Sequence, residues 1–208
     1  MPIFFQQDIN ETTRLAVWKI EEDETFFLQH VPLQREITHP HKRLQHLAGR
    51  YLLQYLAPDF PISLIKIADT RKPFLENEAY HFSISHCSNY AAALVSKTAR
   101  VGVDIEVPTG KVKKIKHKFL HPAEIDFLDS RFRDEEAMLP LTLLWSCKEA
   151  VFKWWSYGAV DFSEMIRLQP FSLKSEGKIE GAFVSEEVHA LQLNYQVFDE
   201  LCLAWVTK

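Results

Sequence analysis

The chain has 208 residues, 47% of them hydrophobic, and a formal net charge of −4. That is enough apolar content for one large domain or two small ones and excludes a disordered chain, while the acidic balance argues against a protein whose main business is nucleic acid. Three cysteines, Cys87, Cys147 and Cys202, with no CxxC among them, indicate neither a disulfide framework nor a zinc knuckle and fit a reducing compartment.

The first residues, MPIFFQQDINET, lack the basic start and long apolar stretch of a signal peptide, and no run approaches about 18 apolar residues. A soluble cytoplasmic protein without a membrane partner is expected. Ile3 to Ile9 and Thr13 to Ile20 read as strands, and Glu22 to Val31 as a short helix opened by acidic residues. Pro40 starts a longer helix carrying Leu44, Leu47, Leu52 and Tyr55 near helical spacing, and Pro58 ends it. A strand-like ISLIKIA, a turn at DTRKPF and two β-rich runs, HFSISH and AAALVS, then lead into VGVDIE.

After Pro108, TGKVKKIKHKFLHPAEIDFLDS reads as two short helices broken at Pro122, and LPLTLLWSCKEAVFKWWSYG as one long helix closed by Gly158. Met165 to Val206 alternates in the manner of four or five strands. Both halves run through helix into antiparallel-looking sheet. The reading is an α+β protein of two related lobes, residues 1–100 and 101–208, packed so that a cleft forms between them in a monomer.

In VGVDIE, period two puts Val101, Val103, Ile105 and Val107 on one face and Asp104 and Glu106 on the other. Same-face neighbours on a strand lie about 7 Å apart, so the two carboxylates repel unless solvent or a cation relieves them. An ordinary half-solvated strand is one reading and a ligand set the other. On the long helix Glu149 and Lys153 are four apart and share a face with Thr142, Ser146 and Ser156, opposite a stripe of Leu144, Cys147, Val151 and Trp154. An exposed ion pair is the ordinary reading there. Against it, Trp145 and Phe152 flank Glu149, and aromatics are seldom left on a polar side unless a cleft covers them. Together the motifs offer three carboxylates and a lysine, the set needed for magnesium-assisted chemistry on a phosphate.

VGVDIE followed some 40 residues later by LWSCKEAVFK resembles the paired signature of 4'-phosphopantetheinyl transferases, of the long pseudo-dimeric type whose two similar lobes are related by a pseudo-two-fold axis. HFSISHC is similar to that family's third motif, and RKPF to the turn before it. The resemblance spans Arg43 to Ser156. It implies Mg²⁺-dependent transfer of 4'-phosphopantetheine from coenzyme A to a serine of an apo carrier protein, with release of adenosine 3',5'-bisphosphate. The sequence does not choose between Mg²⁺ and Mn²⁺.

By position the resemblance implies Asp104, Glu106 and Glu149 as magnesium ligands, Lys153 with Lys148 on the pyrophosphate, and Glu124 as a further acid near the metal. Glu149 is favoured as proton acceptor. His86 and Ser85 resemble the contacts to the 3'-phosphate, Lys72 adds a positional candidate, and Arg43 and Arg50 are weaker ones whose ordinary reading is a solvated helix face. Two departures stand out: Arg71 occupies a site where the family commonly has glycine, and Cys87 follows the histidine where serine or threonine is usual. Arg71 either adds a contact to the coenzyme or crowds its turn. Cys147 is expected in the core.

The run from Lys111 to Lys118 holds five lysines and reads either as a solvated face or as a surface steering an acidic carrier protein. His39, His41 and His46 match no zinc spacing and read as surface or phosphate-adjacent residues. Two competing readings use the same residues: a magnesium-dependent phosphohydrolase or nucleotidyl transferase, and a non-catalytic module binding carrier protein or coenzyme A.

Overall fold

The computed structural model describes residues 3–208. The chain divides into two compact units, Met1–Val103 and Asp104–Lys208, so the division falls inside VGVDIE. The first unit opens with β1 (Ile3–Asn10) and β2 (Thr13–Lys19), continues through α1 (Glu24–Leu28) and α2 (Pro40–Leu56), and closes with β3 (Lys66–Ile67), β4 (Pro73–Phe74), β5 (His81–Cys87) and β6 (Tyr90–Ser96). Its main sheet has the order β1-β2-β6-β5 with antiparallel pairing throughout. The long helix α2 begins at Pro40, where a missing N–H costs nothing, and buries Leu47, Ala48, Leu52, Leu53 and Leu56 against β2, β5 and β6.

Two expected elements differ. The helix from Glu22 to Val31 is only five residues long; Asp23 fixes its start, its side chain accepting the Phe26 N–H at 3.0 Å. The strand ISLIKIA is mostly a 3-10 turn over Ile62–Leu64, followed by the two-residue β3. β3 and β4 form a small hairpin in which Ala68 N–H donates to Lys72 O and Arg71 N–H to Ala68 O. Arg71 sits at φ 65°, the left-handed region that favours glycine. A β-carbon there costs about 1 kcal/mol. Arg71→Gly is therefore expected to raise stability by up to about 1 kcal/mol in urea denaturation, whereas Arg71→Ala, which keeps the β-carbon, stays near wild type.

Strand β7 (Val101–Glu106) crosses the division, and the second unit continues with α3 (Gly110–Phe119), α4 (Pro122–Arg131), α5 (Met138–Trp155), α6 (Phe162–Met165), β8 (Ile166–Leu168), β9 (Glu176–Val184), β10 (Val188–Val197) and β11 (Cys202–Thr207). The sheet order is β7-β11-β10-β9-β8, with antiparallel pairing of β8 to β9, β9 to β10 and β10 to β11. Four strands thus follow Met165. Helix α5 packs on β11 through Leu143, Leu144, Cys147, Ala150 and Val151, all essentially buried, which puts Cys147 in the core as expected. It stops at Ser156, which takes the left-handed cap conformation at φ 74°, two residues before Gly158. Among the described residues no helix is long and apolar enough to cross a membrane.

Candidate active site

Helix α5 and strand β7 build the acidic cluster between them. Trp145, Glu149 and Lys153 lie at i, i+4 and i+8 along one face of α5. At one end of the row Trp145 Nε1 donates to Glu106 Oε1 at 3.1 Å, and at the other Lys153 Nζ donates to Asp104 Oδ1 at 2.7 Å. Glu149, midway along the row, is thereby held over both acids of β7. The strand is not half-solvated: Asp104 is 3% exposed, because α5 covers the face that alternation left open.

Burial and like charge act on these carboxyls together. Glu149 is pushed up to about 7, first by burial and then by Asp104, with Lys153 opposing and Glu106 reinforcing. Glu106 is also raised, by burial and Asp104, against the stabilising hydrogen bond from Trp145. Among the described residues no three His, Cys, Asp or Glu side chains stand ready as a metal-ligand group. The donor chemistry nevertheless fits a hard divalent cation: all three side chains offer oxygen, and Glu106 and Glu149 are held above their ordinary range by burial and the neighbouring Asp104 charge, which a cation would offset.

Beside Glu149 opens a groove of about 510 Å³ whose lining includes Ile115, Phe119, Trp145, Phe152 and Phe162. This accounts for the aromatics next to Glu149. Phe162 stacks on Trp145 with ring centroids 5.8 Å apart and meets Phe152 at 5.4 Å.

Three expected site residues are engaged elsewhere. Lys148 is fully buried and donates to Glu124 Oε2 at 2.7 Å, to Phe162 O at 2.9 Å and to Ile166 O at 2.7 Å. Glu124, 4% exposed, also accepts the His121 N–H at 2.8 Å and the Leu168 N–H at 2.8 Å. Each is committed to the other and to backbone groups, so Lys148 and Glu124 are engaged apart from the acidic cluster rather than serving a phosphate or a metal. Arg43 on α2 holds Glu24 through Nε, at 2.8 Å to each carboxylate oxygen, and Ile37 O through Nη1 at 2.9 Å, so its guanidinium is an internal clasp instead of an anion site.

Arg50 behaves oppositely. It is 5% exposed rather than on a solvated face, and among the described residues it has no acidic partner. Its Nη1 donates to His46 Nδ1 at 3.1 Å, which places the imidazole proton on Nε2. Burial and the Arg35 charge bring Arg50 down to about 10. Burial first, then Arg50, Arg35 and His86, press His46 down to about 3. His46 thus belongs to a buried cationic cluster, while His39 caps α2 and His41 meets Gln45. The i, i+4 separation of His46 and Arg50 signals that they share one face of α2, but nothing in the sequence marks that face as buried. His86 is exposed and Ser85 buried at the end of β5; Lys72 lies partly buried beside Arg71.

The neutral His46 sets an acid limit on stability. In the unfolded chain it protonates near its ordinary pH of about 6.5, while in the fold it stays neutral down to about 3. Between those limits the unfolded state binds more protons, so stability falls on acidification by up to roughly 1.4 kcal/mol per pH unit. His46→Gln, which keeps an acceptor for Arg50, is expected to flatten this slope in urea titrations between neutral pH and about pH 5.

The profile described as the 4'-phosphopantetheinyl transferase superfamily matches residues 100–206, more than half of the chain. The chain belongs to that superfamily. The match contains every element of the acidic cluster, and the resemblance drawn from VGVDIE and LWSCKEAVFK is borne out at that level. Among curated superfamily-like relatives, the 4'-phosphopantetheinyl transferase HetI of Nostoc sp. is 33% identical over 92 residues, covering 43% of this chain and 38% of its own length. Enterobactin synthase component D of Escherichia coli K12 is 32% identical over 117 residues, 54% of each chain. A putative 4'-phosphopantetheinyl transferase of Haemophilus influenzae is 26% identical over 132 residues, 61% of this chain and 55% of its own. The matches thus span between 38% and 55% of these relatives' lengths.

Proposed function

We propose that this chain is a 4'-phosphopantetheinyl transferase, moving the phosphopantetheine group of coenzyme A to a serine of an apo carrier protein. The observation that carries the reading is the row Trp145, Glu149, Lys153 of α5 engaging Asp104 and Glu106 of β7, inside the segment that matches the superfamily. Asp104, Glu106 and Glu149 would hold Mg²⁺, or Mn²⁺ in its place. Bound there, the ion supplies positive charge to the pyrophosphate of coenzyme A.

The protein's own groups do the rest. Lys153, 23% exposed and four residues from Glu149, brings a compact positive charge to the phosphate oxygens. As the serine oxygen bonds to the pantetheine-linked phosphorus, the phosphorus–oxygen bond to adenosine 3',5'-bisphosphate breaks, and the serine proton passes to Glu149. It accepts the proton directly or through a water, a role open to a carboxylate at the reacting phosphate. For the 3'-phosphate and adenine we assign His86, Ser85, Lys72, Arg71 and Arg50 of the first unit; the absence of an acidic partner for Arg50 among the described residues favours an anion there. The long type, with lobes related by a pseudo-two-fold axis, a monomer in the cytoplasm, completes the reading.

The carrier would meet the groove and α3. Lys113 bonds Asp134 at 2.5 Å and Lys116 approaches Asp129 at 3.5 Å, so part of the expected basic surface is neutralised internally. Lys111, Lys114 and Lys118 stay exposed, and Lys118 borders the groove, which suits an acidic carrier. Incubation with coenzyme A, Mg²⁺ and a panel of apo carriers, read by mass spectrometry, tests the function. Addition of one phosphopantetheine to a carrier is expected; no addition across the panel, or release of phosphate without transfer, would sink the reading.

A further inference from the structure

The buried Lys148–Glu124 pair is unexplained by stability alone. Two charges in an apolar core must recover their lost hydration, and a well-packed apolar pair often serves a fold as well or better. Here both are fully satisfied: Lys148 has three oxygen acceptors, and the two Glu124 oxygens accept from Lys148, His121 N–H and Leu168 N–H. The bonds converge on three separate segments, the start of α4, the middle of α5 and the α6–β8 junction. One of those acceptors, Phe162 O, belongs to the residue whose ring stacks on Trp145, and Trp145 in turn donates to Glu106. A continuous line of contacts therefore runs from an inaccessible ion pair to an acid of the cluster.

We propose that Lys148 and Glu124 are positioning residues: by clamping the Phe162 backbone they hold the aromatic wall of the groove and, through it, the Trp145–Glu106 hydrogen bond. This rests on the transferase reading for its catalytic consequence, though not for its structural one. The Lys148 ammonium fixes Phe162 where the short α6 could not fix itself, since four residues make too few hydrogen bonds to stand alone. Substituting a neutral pair removes the clamp without stranding a charge.

The test is the double variant Glu124→Gln/Lys148→Met, compared with Lys148→Arg and wild type. Indole N–H resonances are recorded in ¹⁵N-labelled protein, with the Trp145 signal assigned by its loss in Trp145→Phe. In the folded double variant the Trp145 signal is expected to shift or broaden while that of Trp18, in the other unit, stays in place. Turnover should fall about tenfold with the KM for coenzyme A nearly unchanged, and Lys148→Arg should restore part of both signals. A folded double variant whose Trp145 resonance is unmoved overturns the proposal. A shifted resonance in a protein that never transfers phosphopantetheine, wild type included, overturns the transferase reading and leaves the clamp standing.

Discussion

Asp104→Asn is expected to lower phosphopantetheine transfer by about two to three orders of magnitude while leaving the far-ultraviolet dichroism of the protein unchanged. The side chain is 3% exposed and holds Lys153 at 2.7 Å, so the substitution removes one negative charge from the cluster and loosens the lysine at once. Asparagine keeps the volume and the acceptor oxygen, which confines the damage to charge. Two controls give the result its meaning. Lys153→Met should raise the KM for coenzyme A more than Asp104→Asn does, because on the transferase reading the lysine would contact the phosphate itself. The Asp104→Asn/Lys153→Met double variant should lose less than the product of the two single losses, since both act through one contact. Magnesium should also raise the melting temperature of wild type and fail to do so for Asp104→Asn. At a hundredfold excess over its dissociation constant a bound ion adds about 2.7 kcal/mol, enough to read in a thermal scan. Transfer by Asp104→Asn within threefold of wild type would remove Asp104 from the site.

The elements that sequence reveals are those governed by local rules. Pro40 and the leucine spacing define α2, β-rich runs mark β5 and β6, and alternation marks β7, because helix starts and strand preferences are set within a few residues. The cluster itself was legible from two short motifs, since Glu149 and Lys153 sit one helical turn apart whatever surrounds them. What escaped depends on partners distant in the chain. Alternation gives Asp104 an open face, but α5, more than 30 residues later, covers it. Arg43 looks free until Glu24 of α1 comes into view, and Lys148 looks like a phosphate ligand until Glu124, on another helix, is placed 2.7 Å away. Charged residues are the hardest to assign from sequence because the same side chain serves a ligand or an internal partner equally well. Arg71 is the converse case: a residue unusual for its position whose φ of 65° shows that the backbone shape, not the residue, belongs to the turn.

Lys148→Met alone should cost about 3–5 kcal/mol of folding free energy. It leaves the Glu124 carboxylate 4% exposed with only two backbone N–H donors and no cation. Glu124→Gln strands the ammonium instead, already lowered from its ordinary range by burial. The two single variants are expected to respond to pH in opposite directions. In Lys148→Met the stranded carboxyl prefers its proton, so the folded state binds more protons than the unfolded one and stability falls as pH rises above the ordinary carboxylate range. In Glu124→Gln the stranded ammonium prefers to lose its proton, so the unfolded state binds more and stability climbs with pH toward the ordinary lysine range. The double variant has neither charge and should lie closer to wild type than either single variant, with a flat difference across pH. Urea titrations of the four proteins at three pH values decide it: slopes of the same sign in both single variants would mean that the ion pair is not what holds these segments together.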